Sequence, residues 1–193
     1  LVKIEEGHVT GFISETGRGK LEWKNVLGRI DIVTGTLSKA LGRAMGGYTI
    51  GKKEIIEILR QRSRPYLFSN SLAPAIVGAT LKVFDIISND TSLRDKLESN
   101  TNYFRNKMAQ AGFDLVGADA AIVPVMLYDA KLSQQMANKL LEEGIYVIGF
   151  FFPVVPKGKA RIRVQLSAAH SKEHLDKAIV SFIKIGIELT VIK

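Results

Sequence analysis

Apolar residues along the chain repeat with a period of two in some segments and near 3.6 in others, which separates strands from helices. Leu1 to Ile4 reads as a short buried strand that ends at the polar cluster Glu5-Glu6-Gly7-His8. Arg29 to Val33, rich in β-branched residues, reads as a second strand. A loop follows, with glycines at 35, 42, 46 and 47. From Lys52 to Arg60 the pattern turns helical, with Ile55, Ile56 and Leu59 on one face. Pro65 breaks it and leaves an irregular stretch to Ser71. Pro74 suits the first turn of an apolar helix running to about Ile87.

The cluster Ser88-Asn89-Asp90-Thr91 is a turn signal and the expected domain boundary, dividing the chain into 1–88 and 89–193. Beyond it the pattern is α+β. Leu93, Leu97, Phe104 and Met108 share a helical face, with Gly112 as the stop. Ala121 to Leu127 is an apolar strand, and Leu132, Met136 and Leu140 mark a helix stopped by Gly144. Tyr146 to Phe152 and Arg161 to Gln165 read as strands. Ser171 is the expected N-cap of a last helix carrying Leu175, Ile179, Phe182 and Ile183 inward.

Composition supports a packed core: 193 residues, 46% hydrophobic and 24% charged. The longest apolar run, Ile145 to Val155, is too short to span a bilayer and contains Gly149 and Pro153. Zero cysteines exclude a disulfide framework and a thiolate metal site. The net charge of +8 is spread along the chain, densest at Arg60 to Arg64 and Lys157 to Arg163. No groove-reading motif accompanies it, so no nucleic-acid partner is expected. Leu1 to Ile4 is followed at once by Glu5 and Glu6, so no signal peptide is read there. A chain opening on Leu inside a strand reads as processed or incomplete.

Chemistry concentrates in a few places. Lys39 follows a strand and a Thr/Gly/Ser segment, three residues after Thr36 and before Gly42. The pattern suits a covalently bound planar cofactor with a phosphate near Thr36. On local pattern alone an exposed loop lysine fits better, because Thr-x-x-Lys is a weak motif. Glu5, Glu6 and His8 lie just past a strand end, where open α/β sheets place ligands. The other reading is a solvated acidic turn. A metal lacks a second convincing ligand group there. Ser69, Asn70 and Ser71 offer hydroxyls to a phosphate, or form a simple turn. Arg161 and Arg163 sit two apart in a strand and point the same way, as a carboxylate clamp or as an exposed charged face.

Four segments taken together are more specific. Glu5-Glu6-Gly7-His8-Val9-Thr10-Gly11-Phe12, Thr34 to Gly42, Arg62 to Pro74 and Pro153 to Gly158 resemble, in order and spacing, segments of the α-oxoamine synthases. The resemblance covers essentially the whole chain and corresponds to the second half of such an enzyme. It implies an α/β, type I pyridoxal-phosphate-dependent transferase fold (aspartate-aminotransferase-like): 1–88 as the later part of the cofactor-binding large domain, 89–193 as the small C-terminal domain. It also implies a homodimer with shared active sites and no membrane or metal partner. Location would be cytoplasmic, or mitochondrial in a eukaryote.

Carried over residue by residue, Lys39 resembles the Schiff-base lysine and Thr36 the phosphate-binding threonine. His8 resembles the histidine at the cofactor's phenolic oxygen, and Glu5 the partner of the pyridine nitrogen. Ser69 resembles a hydroxyl for the neighbouring subunit's cofactor phosphate, and Arg163 the holder of the substrate carboxylate. The implied reaction condenses glycine with acetyl-CoA to 2-amino-3-ketobutyrate and CoA, in threonine and glycine metabolism. Another α-oxoamine synthase, forming 8-amino-7-oxononanoate or 5-aminolevulinate, or a non-catalytic fragment or paralogue, are the alternatives. The chain departs from the family at Glu5, where aspartate is usual. It departs also at Gly7 (serine or cysteine), Ser38 and Arg43 (glycine) and Phe152 (tyrosine).

Overall fold

The computed structural model describes residues 1–42, 45–117 and 120–193, so Arg43 lies outside the described residues. The chain forms two compact units, Leu1–Arg94 and Asp95–Lys193. The divide falls in the first turn of a helix, past the polar cluster at 88–91.

In the first unit the order is β1 (Lys3–Glu5), α1 (Lys20–Trp23), β2 (Ile32–Thr36), β3 (Gly47–Gly51), α2 (Lys53–Arg62), α3 (Arg64–Phe68) and α4 (Pro74–Asn89). The strands form one sheet in the order β1-β2-β3. β1 runs parallel to β2, pairing Glu5 with Thr34. β2 runs antiparallel to β3, pairing Gly35 with Tyr48 and Thr36 with Gly47. The second strand thus lies later than the expected 29–33, because 32–34 pair with both neighbours and 35–36 continue the pairing with β3. β3 occupies part of the expected glycine loop. Pro65 opens the short helix α3 instead of leaving an irregular stretch, since its missing N–H falls where a helix needs none. Few side chains are buried here: Val9, Leu21, Leu37 and Leu41 among the apolar ones. α4 is apolar yet has no buried residue, with Val77, Leu81 and Phe84 open to solvent.

α5 (Ser92–Gln110) leads into the second unit, followed by β4 (Ile122–Tyr128), α6 (Ala130–Glu142), β5 (Gly149–Phe150), β6 (Ala160–Gln165) and α7 (Lys172–Glu188). The sheet order is β4-β6-β5, antiparallel throughout. α6 packs on all three strands and on α7. The core gathers Phe104, Met108, Met136, Leu140, Ile162 and Phe182, all fully buried. Phe182 meets Phe104 and Phe113 edge-on, with ring centroids 6.2 and 6.1 Å apart. Leu93, expected on the buried face of α5, is exposed, because it precedes the part of the helix that reaches this core.

Caps fix the helix ends. Asp129 accepts from Leu132 N at 2.7 Å at the start of α6. Ser171 accepts from His174 N at 3.3 Å, and Ser171 N donates to His174 Nδ1 at 3.2 Å, closing a capping box on α7. The strand expected over 146–152 shrinks to Gly149–Phe150. Beyond it Val154 N and Val155 N both turn back to Phe151 O.

Candidate active site

Parallel strands bring their carboxyl ends to the same edge of a sheet. β1 and β2 are such a pair. One ends in Glu5-Glu6-Gly7-His8 and the other in Thr36-Leu37-Ser38-Lys39, so two segments far apart in sequence meet at one edge. There Lys39 Nζ lies 3.2 Å from His8 Nδ1. Both side chains are exposed. With lysine as the donor, His8 Nδ1 accepts and the ring proton is left to Nε2.

Beside the pair, Thr36 Oγ1 lies 2.7 Å from Ser38 Oγ, accepts from Ser38 N at 3.2 Å and donates to Gly46 O at 3.2 Å. Leu37 N also bonds Gly46 O, at 3.0 Å. The lysine loop is therefore closed at its base by side chain and backbone alike. Leu72, three residues after Ser69, lies over Gly46, where an added Cβ would come within 2.6 Å of it. Ser69 itself is exposed between α3 and α4, and its N–H caps Pro65 O at 3.1 Å.

The two glutamates take opposite roles. Successive side chains at a strand end point to opposite sides. Glu5 is exposed and folds back so that its Oε1 accepts from Gly7 N at 2.7 Å. Glu6 is buried. Its Oε2 accepts from Lys20 N at 3.0 Å, while Oε1 has no hydrogen-bond partner among the described residues. Burial raises the Glu6 carboxyl above its ordinary value; the Lys20 N–H bond and Lys20 charge pull it down, and Glu5 adds to the rise. The Glu6 carbonyl receives Val9 N and Thr10 N, both at 3.1 Å, which shapes the turn carrying His8.

Glu6 and Tyr48 escaped sequence reasoning as structural parts of this edge. Tyr48 donates to Thr10 Oγ1 at 2.9 Å, and its ring covers Gly35 so closely that no Cβ would fit. Strand alternation was a usable signal for Glu6. Tyr48 carried none, because its own strand, β3, was not foreseen.

Arg163 belongs to the second unit, in β6 opposite Pro124. The two strand arginines differ. Arg161 Nε donates to Lys159 O at 3.0 Å. Arg163 has its guanidinium 5.3 Å from the centre of the Phe150 ring and no hydrogen bond or ion pair among the described residues. Ile122, Pro124, Val154 and Pro156 surround the same concavity with apolar walls. Beside Phe150, Gly149 lies close to the Ser133 carbonyl: a Cβ there would stand 2.8 Å from its oxygen. Phe150 was another residue the sequence reading did not single out.

Residues 6–182 match the family model of the aminotransferases of class I and II. The chain is 57% identical over 192 residues to 2-amino-3-ketobutyrate coenzyme A ligase of Escherichia coli K12, covering 100% of this chain and 48% of that protein. It is 52% identical over 186 residues to the mitochondrial 2-amino-3-ketobutyrate coenzyme A ligase of Mus musculus, covering 96% and 45%. A solved structure of SPT with PLP internal aldimine superposes with a TM-score of 0.94 at 31% identity, covering 100% of this chain and 48% of that one. The chain thus spans about half the length of the curated relatives it matches. The expected α/β fold of the type I pyridoxal-phosphate-dependent transferases is the fold of this chain.

Proposed function

We propose a function from one premise: this chain belongs to the aminotransferase class I and II family. The reading is a pyridoxal-phosphate-dependent acyltransferase of the α-oxoamine synthase type that condenses glycine with acetyl-CoA to 2-amino-3-ketobutyrate and CoA. The observation that carries it is the Lys39 amine beside the His8 imidazole at the shared end of β1 and β2. The 57% identity to a ligase of that name supports the choice of reaction.

The donor set fits pyridoxal 5′-phosphate. Lys39 offers an exposed primary amine, His8 an Nε2 donor for a phenolic oxygen, and Glu5 a carboxylate for a protonated ring nitrogen. Thr36 offers a hydroxyl to the phosphate from the closed base of the loop. Bound there, the cofactor would supply an aldehyde for the amine and a ring that accepts electrons. The chain's own work is acid–base and positional. Lys39 would be the general base for the glycine α-proton. His8 holds the amine in place through Nδ1. Arg163 binds the glycine carboxylate with its fork of N–H donors. The reading includes a homodimer in which Ser69, on an exposed loop, serves the phosphate of the neighbouring copy.

The metabolic setting would be threonine and glycine turnover. Its compartment would be the cytoplasm, or the mitochondrion in a eukaryote, as the name of the mouse relative has it. Among the described residues no helix is long and apolar enough to cross a membrane.

Absorbance after adding pyridoxal 5′-phosphate tests the reading. Wild type should develop a band near the visible edge that borohydride abolishes, and Lys39→Ala should not. Identical spectra from the two would sink the assignment. Release of CoA from glycine and acetyl-CoA, set against other amino acids and acyl-CoAs, then tests the substrates.

A further inference from the structure

We propose that Gly7 is a positioning residue for the Glu5 carboxylate, because its bare α-carbon is what lets Glu5 fold back onto the Gly7 amide. This rests on the reading of Glu5 as the cofactor-facing carboxylate. Two observations carry it. Gly7 N donates to Glu5 Oε1 at 2.7 Å. A Cβ built on Gly7 would press into that same oxygen, while standing 3.3 Å from Glu5 Cδ and 3.2 Å from Thr36 Cγ2.

Position 7 needs space rather than backbone freedom. Gly7 is not among the residues with positive φ, so no left-handed backbone strain stands against alanine there. Gly7 is buried and Glu5 is exposed. The atom pressed hardest is the far end of a flexible side chain, so the added methyl turns Glu5 away, while Thr36 Cγ2 has only a few tenths of an ångström to give. A side chain at 7 therefore acts as a switch on where the carboxylate stands.

The length of residue 5 sets the sensitivity. An aspartate reaches the N–H two residues on without the extra methylene to fold. A Cβ at position 7 is thus compatible with aspartate at position 5 and incompatible with glutamate in its present pose. The two positions form a matched pair, long acid with bare α-carbon.

The test is a double-mutant cycle on the holoenzyme, read as the dissociation constant of pyridoxal 5′-phosphate. Gly7→Ala should weaken binding about five-fold or more in the wild-type background, and by less than about two-fold in Glu5→Asp, as expected for residues in contact. Equal factors in the two backgrounds would overturn the proposal. Melting temperatures accompany each variant: if Gly7→Ala is destabilised only beside glutamate the pair is matched, and if equally in both it is not. A cofactor-free readout stands apart from the catalytic reading. In the ¹⁵N-labelled chain, Glu5→Ala should move the Gly7 amide proton upfield, and an unmoved resonance would refute the contact. If Glu5→Ala leaves cofactor affinity untouched while the resonance moves, the cofactor role of Glu5 fails and the Gly7 contact stands.

Discussion

Replacing Phe150 by leucine isolates one interaction at the Arg163 site. The substitution removes the ring face 5.3 Å from the guanidinium and keeps an apolar side chain on β5. Arg163 is exposed, so the contact belongs to the weaker class of cation–π pairs, about 0.5–1 kcal/mol. At about 1.4 kcal/mol per factor of ten, that is about two- to five-fold in an equilibrium constant. If the ring aligns Arg163 for the substrate carboxylate, the loss appears in glycine binding and not in the chemical step. Phe150→Leu should then raise KM for glycine about two- to five-fold with kcat unchanged, and Phe150→Tyr should restore it. Arg163→Ala provides the upper limit. A fall in kcat at constant KM, or a tyrosine variant as weak as the leucine one, would refute the reasoning. So would a glycine KM indifferent to Arg163→Ala.

Two further outcomes concern stability. Because burial raises the Glu6 carboxyl, the folded state holds that proton more tightly than the unfolded chain. Its contribution is present at acid pH and is lost as pH rises through the folded value. The melting temperature of Glu6→Gln should therefore gain on wild type between acid and neutral pH, and parallel curves would count against this account. Phe182→Ala removes a fully buried ring and both edge-on contacts. It should lower the urea stability of the second unit by about 3–5 kcal/mol, and a loss under about 1 kcal/mol would contradict the packing.

What was legible in the sequence depended on how local the cause was. The cap Ser171, the stops Gly112 and Gly144, and the inward face Leu175, Ile179, Phe182 act within a turn or two of themselves, and the structure has them as expected. β3 was missed because its glycine-rich residues look like loop until Gly35 lies under Tyr48 across the strand pair. The run 146–152 looked like a full strand by apolarity, yet only Gly149 and Phe150 find a partner in β6. At the candidate site, His8 and Lys39 were each legible as isolated candidates. Their 3.2 Å meeting depends on the parallel pairing of two strands about 30 residues apart, which no local pattern contains. Glu5 and Glu6 are identical letters, and only strand alternation assigns one to the edge and the other to the interior.

The closed base of the lysine loop gives Lys39 a property of its own. Thr36 and Gly47 are paired across β2 and β3, so the two ends of the loop are held together. The amine stands only three residues from that anchor. In the proposed Schiff-base role it would therefore be a reagent on a short leash. Its effective concentration at His8 would then be set by the chain between anchor and amine and not by free diffusion.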